Sequence, residues 1–290
     1  MKRDWLSEDL HEHFSLSLSE MQWLRDRGEA HNLLGLAVEL KCFQYLGYFV
    51  EDSHEIPDLI LDDLARQVGL SVDVWQAYDW QGRSARRHRA MIREKLGYRP
   101  STLKDAEALV IWLERSLEEN PAAEMPQLQA QAYVWLRQHK LEPPTRLRLE
   151  RLIRQALAAF ESAFAQRIVG QLSPLSCQEL DKLLISASEA GETFQKSRFA
   201  ELKQDPQHLS LNELLAEIEK LRHLRKLQIP APLFHGIAPQ LVQVYRRRIS
   251  VEAPSEARKH PDNIRYTLLA AFVWQRQRDV TDNLVELFMQ

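Results

Sequence analysis

The chain has 290 residues, 44% hydrophobic and 27% charged, which excludes a disordered polypeptide and leaves room for two or three compact units. Its formal net charge is −3, which excludes a protein that is basic throughout and requires any polyanion site to be local. Two cysteines, Cys42 and Cys177, stand far apart without CxxC or histidine spacing, which excludes a disulfide framework and a structural zinc site.

The first segment, MKRDWLSEDLHEHF, lacks the apolar core of a signal peptide. His11, Glu12 and His13 lie in it, but two histidines one residue apart without a third ligand read as a solvated segment. Ser17 and Glu20 form a capping box that opens a helix through Met21, Trp23 and Leu24, with a turn at Gly28. From Asn32 to Phe49, the spacing of Leu33, Leu36, Ala37, Leu40 and Phe43 predicts a long, largely buried helix, the core of the first domain. Pro57 starts the next helix, whose inner face is Leu61, Leu64, Ala65 and Val68 and whose stop is Gly69. Ser71 then caps a second helix to Tyr78 carrying Val74 and Trp75. The pair has the pattern of a helix-turn-helix, which any tight helical hairpin also produces.

Charge changes sign at Tyr78. Met1–Ala77 carries fifteen Asp or Glu against six Lys or Arg, a balance of −9. In Tyr78–Arg99, Arg83, Arg86, Arg87, Arg89, Arg93, Lys95 and Arg99 stand against Asp79 and Glu94 alone, a balance of +5. At 100° per residue, a helix after Gly82 places Ala85, Ile92 and Leu96 within about 40°. Arg83, Arg86 and Arg87 project from the opposite half, with Arg93 flanking them. Guanidinium groups keep their charge and offer planar donors to phosphate, and too few acids lie nearby to neutralise them by i,i+4 pairing. A polyanion is the expected partner. Trp80, beside the block, is a candidate for stacking against DNA or else a core residue at a helix junction. His88, inside it, is a candidate phosphate contact or a boundary histidine.

Beyond Pro100, Thr102 and Asp105 open an amphipathic helix that ends before Asn120-Pro121, followed by helices around Leu128–His139 and from Leu147 to Phe164. Ser173-Pro174 precedes a helix over Cys177–Ala190, and Asp205-Pro206 marks a boundary. Ser210 and Glu213 cap a helix from Leu211 that ends in Arg222, His223, Arg225 and Lys226, where cations also suit the helix dipole. Arg246, Arg247 and Arg248 follow on a helix from about Ala238 as the second cationic site. Helices over Asp262–Gln275 and from about Thr281 close the chain. No stretch alternates like a strand, so the predicted class is all-α, with domains at 1–100, 101–205 and 206–290.

No GxxxxGK[ST] or GxGxxG loop occurs, so no nucleotide cofactor or small-molecule substrate is expected. The carboxylates sit at ordinary surface spacing rather than converging as two-metal phosphoryl transfer requires, so neither a metal nor intrinsic catalysis is expected. The run Leu268–Trp274 is far short of the roughly 20 residues that cross a bilayer. A soluble cytoplasmic protein is expected.

Four stretches, LSLSEMQWLRDRGEAHNLLGLAVELKCFQYLGYF, IPDLILDDLARQVGL, YDWQGRSARRHRAMIREKLGYR and HPDNIRYTLLAAFVWQRQRDVTDNLVEL, together spanning nearly the whole chain, carry a resemblance. The chain resembles the N-terminal region of the Tn-three family transposases of class II replicative transposons, including their conserved N-terminal domain of unknown function. The resemblance implies recognition of terminal inverted repeats through small helical DNA-binding units, and a dimer on paired ends. Family members carry an acidic triad in a later ribonuclease-H-like domain. This chain ends at Gln290 without one, so the resemblance implies end binding and not strand transfer. The expected DNA-contacting set is Trp80, Arg83, Arg86, Arg87, His88, Arg89, Arg93, Lys95, Arg99, Arg246, Arg247 and Arg248. One rival is a helical protein-interaction or regulatory module, which would self-associate without DNA. The other is an independent nuclease, which would cleave with a divalent metal.

Overall fold

A computed structural model describes residues 5–25, 29–185, 198–206, 208 and 210–289. The expected turn at Gly28 and the last part of the helix over Cys177–Ala190 lie outside the described residues. The α-helices are α1 (Ser7–Phe14), α2 (Leu18–Arg25), α3 (Ala30–Leu46), α4 (Asp58–Val68), α5 (Arg83–Leu96), α6 (Leu103–Glu119) and α7 (Met125–Gln138). They continue as α8 (Arg146–Val169), α9 (Pro174–Leu183), α10 (Arg198–Leu202), α11 (Leu211–Lys226), α12 (Pro239–Val251), α13 (Pro254–Ala257) and α14 (Asp262–Met289). The only sheet among the described residues pairs β1 (Arg99–Pro100) in parallel with β2 (Leu141–Glu142), Arg99 opposite Leu141. The fold is all-α.

The chain divides into two compact units, 1–110 with 125–153, and 111–124 with 154–290. α6 and α8 each contribute residues to both. The proline-marked boundaries expected at 100 and 205 do not coincide with this division. Residues 125–153 join the first unit through specific contacts: Tyr133 stacks on Tyr48 at 5.2 Å, and the Arg137 guanidinium donates to the Tyr45 carbonyl at 3.1 Å.

The first unit is built around α3. Every residue from Leu34 to Phe43 is buried, because helices and loops cover this helix on all sides, as its apolar run predicts. Two charged residues in that run, Glu39 and Lys41, therefore need buried partners. Lys41 finds Glu20 at 3.5 Å. Glu20 is also the far member of the expected capping box: Ser17 N–H donates to its carboxylate at 2.8 Å, and its own N–H donates to Ser17 Oγ at 3.2 Å. The C-terminus of α3 is Gly47, left-handed at φ +82°.

α4 begins after Pro57 and stops at Gly69, φ +72°, as expected. The segment capped by Ser71 differs from expectation. Val72–Ala77 is a 3-10 helix with no buried residue, so the pair lacks the α-helical second member of a helix-turn-helix. A 3-10 helix stacks its side chains in poorer geometry and rarely runs long. Here it delivers Tyr78 and Trp80 into the core, both buried.

The second unit packs α9, α11 and α12 against α14. Leu268–Val273 are all buried there, with Leu180, Leu224, Leu241 and Ile249 in the same core. The two closing helices expected from the sequence are one helix of 28 residues. No Gly or Pro lies between Gln275 and Thr281 to break it. Partners from neighbouring elements hold that stretch: Arg276 bonds the Asp205 carboxylate and the Gln204 carbonyl, and Gln277 donates to the Leu224 carbonyl at 2.9 Å. Among the described residues no helix is long and apolar enough to cross a membrane.

Candidate nucleic-acid interface

α5 starts where the chain turns tightly at Gly82. A Cβ there would lie 2.3 Å from Asp79 Oδ2, because the Asp79 side chain folds back to accept from Gln81 N–H at 3.1 Å. The helix ends at Gly97, φ +72°, with the N–H of Tyr98 returning to the Arg93 carbonyl at 2.8 Å. Between these stops, Ala85, His88 and Ile92 form the buried stripe. Ala85 and Ile92 match the predicted inner face. His88 does not belong to the outer face at all.

Both ring residues of the expected set are internal. Trp80 is 7% exposed and donates from Nε1 to the Val50 carbonyl at 3.2 Å. His88 is 1% exposed, with its ring stacked on Tyr78 and Nδ1 2.9 Å from the Tyr78 hydroxyl. A duplex cannot reach either ring without opening the core, so neither contributes to the surface of α5.

The arginines and the lysine of the block separate into two groups. Arg89 turns inward, and its Nε donates to Glu39 Oε1 at 3.1 Å and Oε2 at 3.3 Å. Its guanidinium also lies 5.4 Å from the Trp80 ring centre and 5.6 Å from that of Phe49. Arg93 donates to Glu142 at 2.9 Å, Arg99 makes two bonds of 2.7 Å to Asp105, and Lys95 lies 4.8 Å over the Trp23 ring. Arg83, Arg86 and Arg87 are exposed. Among the described residues none of the three meets a carboxylate, and Arg86 makes only a 3.4 Å bond to the Gln81 carbonyl.

Beneath α5 the charged core is organised around Glu39, itself 1% exposed. Burial raises its carboxyl to about 8, against the pull of Arg89 and of a hydrogen bond from the Tyr78 hydroxyl. That hydroxyl has a single proton. The hydroxyl and His88 Nδ1 face each other at 2.9 Å, with the donor set by the imidazole tautomer, and His88 Nε2 is unpartnered among the described residues. Burial, then Arg87, lowers the His88 imidazole to about 4, so the ring is neutral. Burial, followed by the Glu39 charge, holds the Tyr78 phenol well above its ordinary range. Tyr78 reaches this position because α3 has a glycine at 35. A Cβ there would lie 2.3 Å from the Tyr78 ring.

The second cationic site lies in the other unit and is mostly neutralised. Arg246 donates to Asp279 at 2.5 Å and Arg248 to Glu161 at 2.5 Å, with Glu252 also 4.0 Å away. Arg247 alone of the three is exposed without a carboxylate among the described residues. The sequence reading missed Arg148 and Arg151, exposed three residues apart near the start of α8, where no acid stands in the first turn. The signal was the run of arginines itself, unusual at a helix N-terminus because the dipole there disfavours cations. In the terminal segment, His11 Nδ1 lies 3.1 Å from Ser15 Oγ.

Residues 1–156, more than half of the chain, match the family model described as a domain of unknown function, DUF4158. The chain belongs to this family. It is similar to the transposase for transposon Tn501 of Pseudomonas aeruginosa, 27% identical over 280 residues, covering 97% of this chain and 28% of that protein. It is also similar to the transposase for transposon Tn1546 of Enterococcus faecium, 25% identical over 278 residues, with 95% and 27% covered. A third relative is the transposase for transposon Tn3926 of Escherichia coli, 26% identical, with 97% and 28% covered. These matches show the kinship with transposases that the sequence motifs carried, and the chain spans about 28% of the length of such relatives.

Proposed function

We propose that this chain binds double-stranded DNA, recognising the terminal inverted repeats of a transposon as the N-terminal part of a transposase, and that α5 is the contacting element. The observation that carries the reading is the row Arg83, Arg86 and Arg87. These residues are exposed on one side of a helix and lack carboxylate partners among the described residues, while other cations of the block have found partners. Arginines left unpaired beside a helix anchored through Ala85 and Ile92 are placed to neutralise phosphates without any rearrangement of the core. The names of the relatives support the partner class. Strand transfer is not assigned to these residues.

The test is binding of the purified chain to duplexes ending in the flanking inverted repeat, against scrambled duplexes, over a range of salt. Three neutralised phosphates predict a slope of log affinity against log salt of about −3. A slope near zero, or no change when Arg86 and Arg87 become alanine, removes the assignment. Equal binding to both duplexes leaves DNA binding and removes the recognition of ends.

A further inference from the structure

The exposed side of α5 carries one residue that phosphate binding does not explain. At 100° and about 1.5 Å per residue, Arg83, Arg87, Ala90 and Glu94 fall within about 60° of one another, with Arg86 at the margin. All five are exposed. Glu94 thus stands in line with the free arginines, about 16 Å along the axis from Arg83, a length of roughly five base-pair steps.

Nothing local favours a carboxylate there. Glu94 lies in the last turn of the helix, where the dipole disfavours an anion. The positions three and four residues before it are Met91 and Ala90, so no i−3 or i−4 cation pairs with it. Among the described residues its side chain makes no hydrogen bond or ion pair, although cations flank it in the sequence at Arg93 and Lys95. Arg93 is taken by Glu142 and Lys95 lies over Trp23. Against phosphate, such a carboxylate is repelled. Against the base edges of the major groove, which is wide enough to admit a helix, a carboxylate has a specific partner in the exocyclic amine of cytosine. Ala90, one turn earlier, is exposed and presents only a methyl group, which leaves room for a close approach at that level.

Resting on the DNA-binding reading above, we infer that Glu94 is a specificity-determining residue, accepting a hydrogen bond from cytosine N4 while Arg83, Arg86 and Arg87 hold the flanking phosphates.

The experiment is selection of binding sites from a randomised duplex library by the 290-residue chain, run in parallel with Glu94→Ala, Glu94→Gln and Arg86→Ala/Arg87→Ala, with thermal melts as a control on folding. The wild-type chain is expected to enrich cytosine at one position, discriminating against other bases by about 5- to 150-fold. Glu94→Ala is expected to reduce that discrimination below about 2-fold while leaving the other positions unchanged, and to raise affinity for random duplex through the loss of repulsion. Glu94→Gln is expected to move the preference toward adenine, which glutamine reads with two hydrogen bonds. Identical enriched sites for wild type and Glu94→Ala overturn the inference even if the double arginine variant loses binding. Unchanged binding by the double arginine variant overturns the placement of α5 on DNA and this inference with it.

Discussion

α5 and α12 carry similar clusters of arginine and have opposite fates. In α12, Arg246 and Arg248 are drawn to Asp279 and Glu161, carboxylates from other helices of the same unit. In α5, Arg89 is drawn inward to Glu39 and Arg93 to Glu142, but Arg83, Arg86 and Arg87 meet no carboxylate among the described residues. Local cation density is therefore a poor guide to a free cationic surface. What decides it is which acids the fold brings across from elements distant in the chain.

The largest expected effect tests the inward arginines. Arg89→Ala leaves the buried Glu39 carboxyl without the guanidinium that bonds both its oxygens and is expected to destabilise the first unit by about 1–3 kcal/mol in denaturant unfolding. Arg248→Ala, losing a partly exposed pair, is expected to cost no more than about 1 kcal/mol. Adding Glu39→Leu to Arg89→Ala is expected to recover most of the loss, and failure to do so would mean that the pair is not what makes the site costly.

Replacing Arg83, Arg86 and Arg87 together by alanine is expected to reduce duplex affinity by about 100-fold at low salt and to flatten the salt slope by about 3. The melting temperature should stay within a few degrees. A matching drop in stability would identify the row as structural.

Gly35→Ala probes the close contact beneath α5. Its Cβ meets the Tyr78 ring at 2.3 Å, and displacing a buried aromatic ring is expected to cost about 1–3 kcal/mol.

The buried histidine gives a pH dependence with a defined sign. His88 is lowered from 6.5 to about 4, so the folded state binds fewer protons than the unfolded chain between those values. Its contribution to stability is present above about 6.5 and is lost as pH falls toward 4. Glu39, raised from 4.5 to about 8, works the other way: its contribution is present below about 4.5 and is lost as pH rises through 8. The gap in stability between the wild-type chain and His88→Gln, measured from pH 7 to pH 4, isolates the histidine and should shift against the wild type as pH falls. A gap that stays constant would place the His88 proton elsewhere.

The smallest effect is expected in α12. Arg247→Ala is expected to change duplex affinity by less than about 3-fold, and a loss comparable to that of the α5 row would make the two cationic sites equivalent.

Much of the architecture is local in origin and was readable in advance. The capping box at Ser17 and Glu20, the helix start at Thr102 and Asp105, the stop at Gly69, and the inner face of Ala85 and Ile92 depend on residues within one or two turns of each other. The all-α class follows from the same periodicity. Errors of reading arose where the deciding residue was remote or absent. Val72–Ala77 has apolar residues at helical spacing but becomes a 3-10 segment that leads Tyr78 onto Gly35. The division at Gln275 was expected with no breaker to enforce it, and α14 runs through.

By itself the sequence determined that a cationic helix would follow Gly82, which face would be apolar, and that a polyanion was the partner class. Only the tertiary structure decided which cations remain free. Ion pairing is a short-range interaction between groups that the fold brings together from far apart in the chain, fifty residues for Arg89 and Glu39 and eighty-seven for Arg248 and Glu161. Helix periodicity is written in neighbouring residues, whereas the neutralisation of a charge is written in the packing of distant ones.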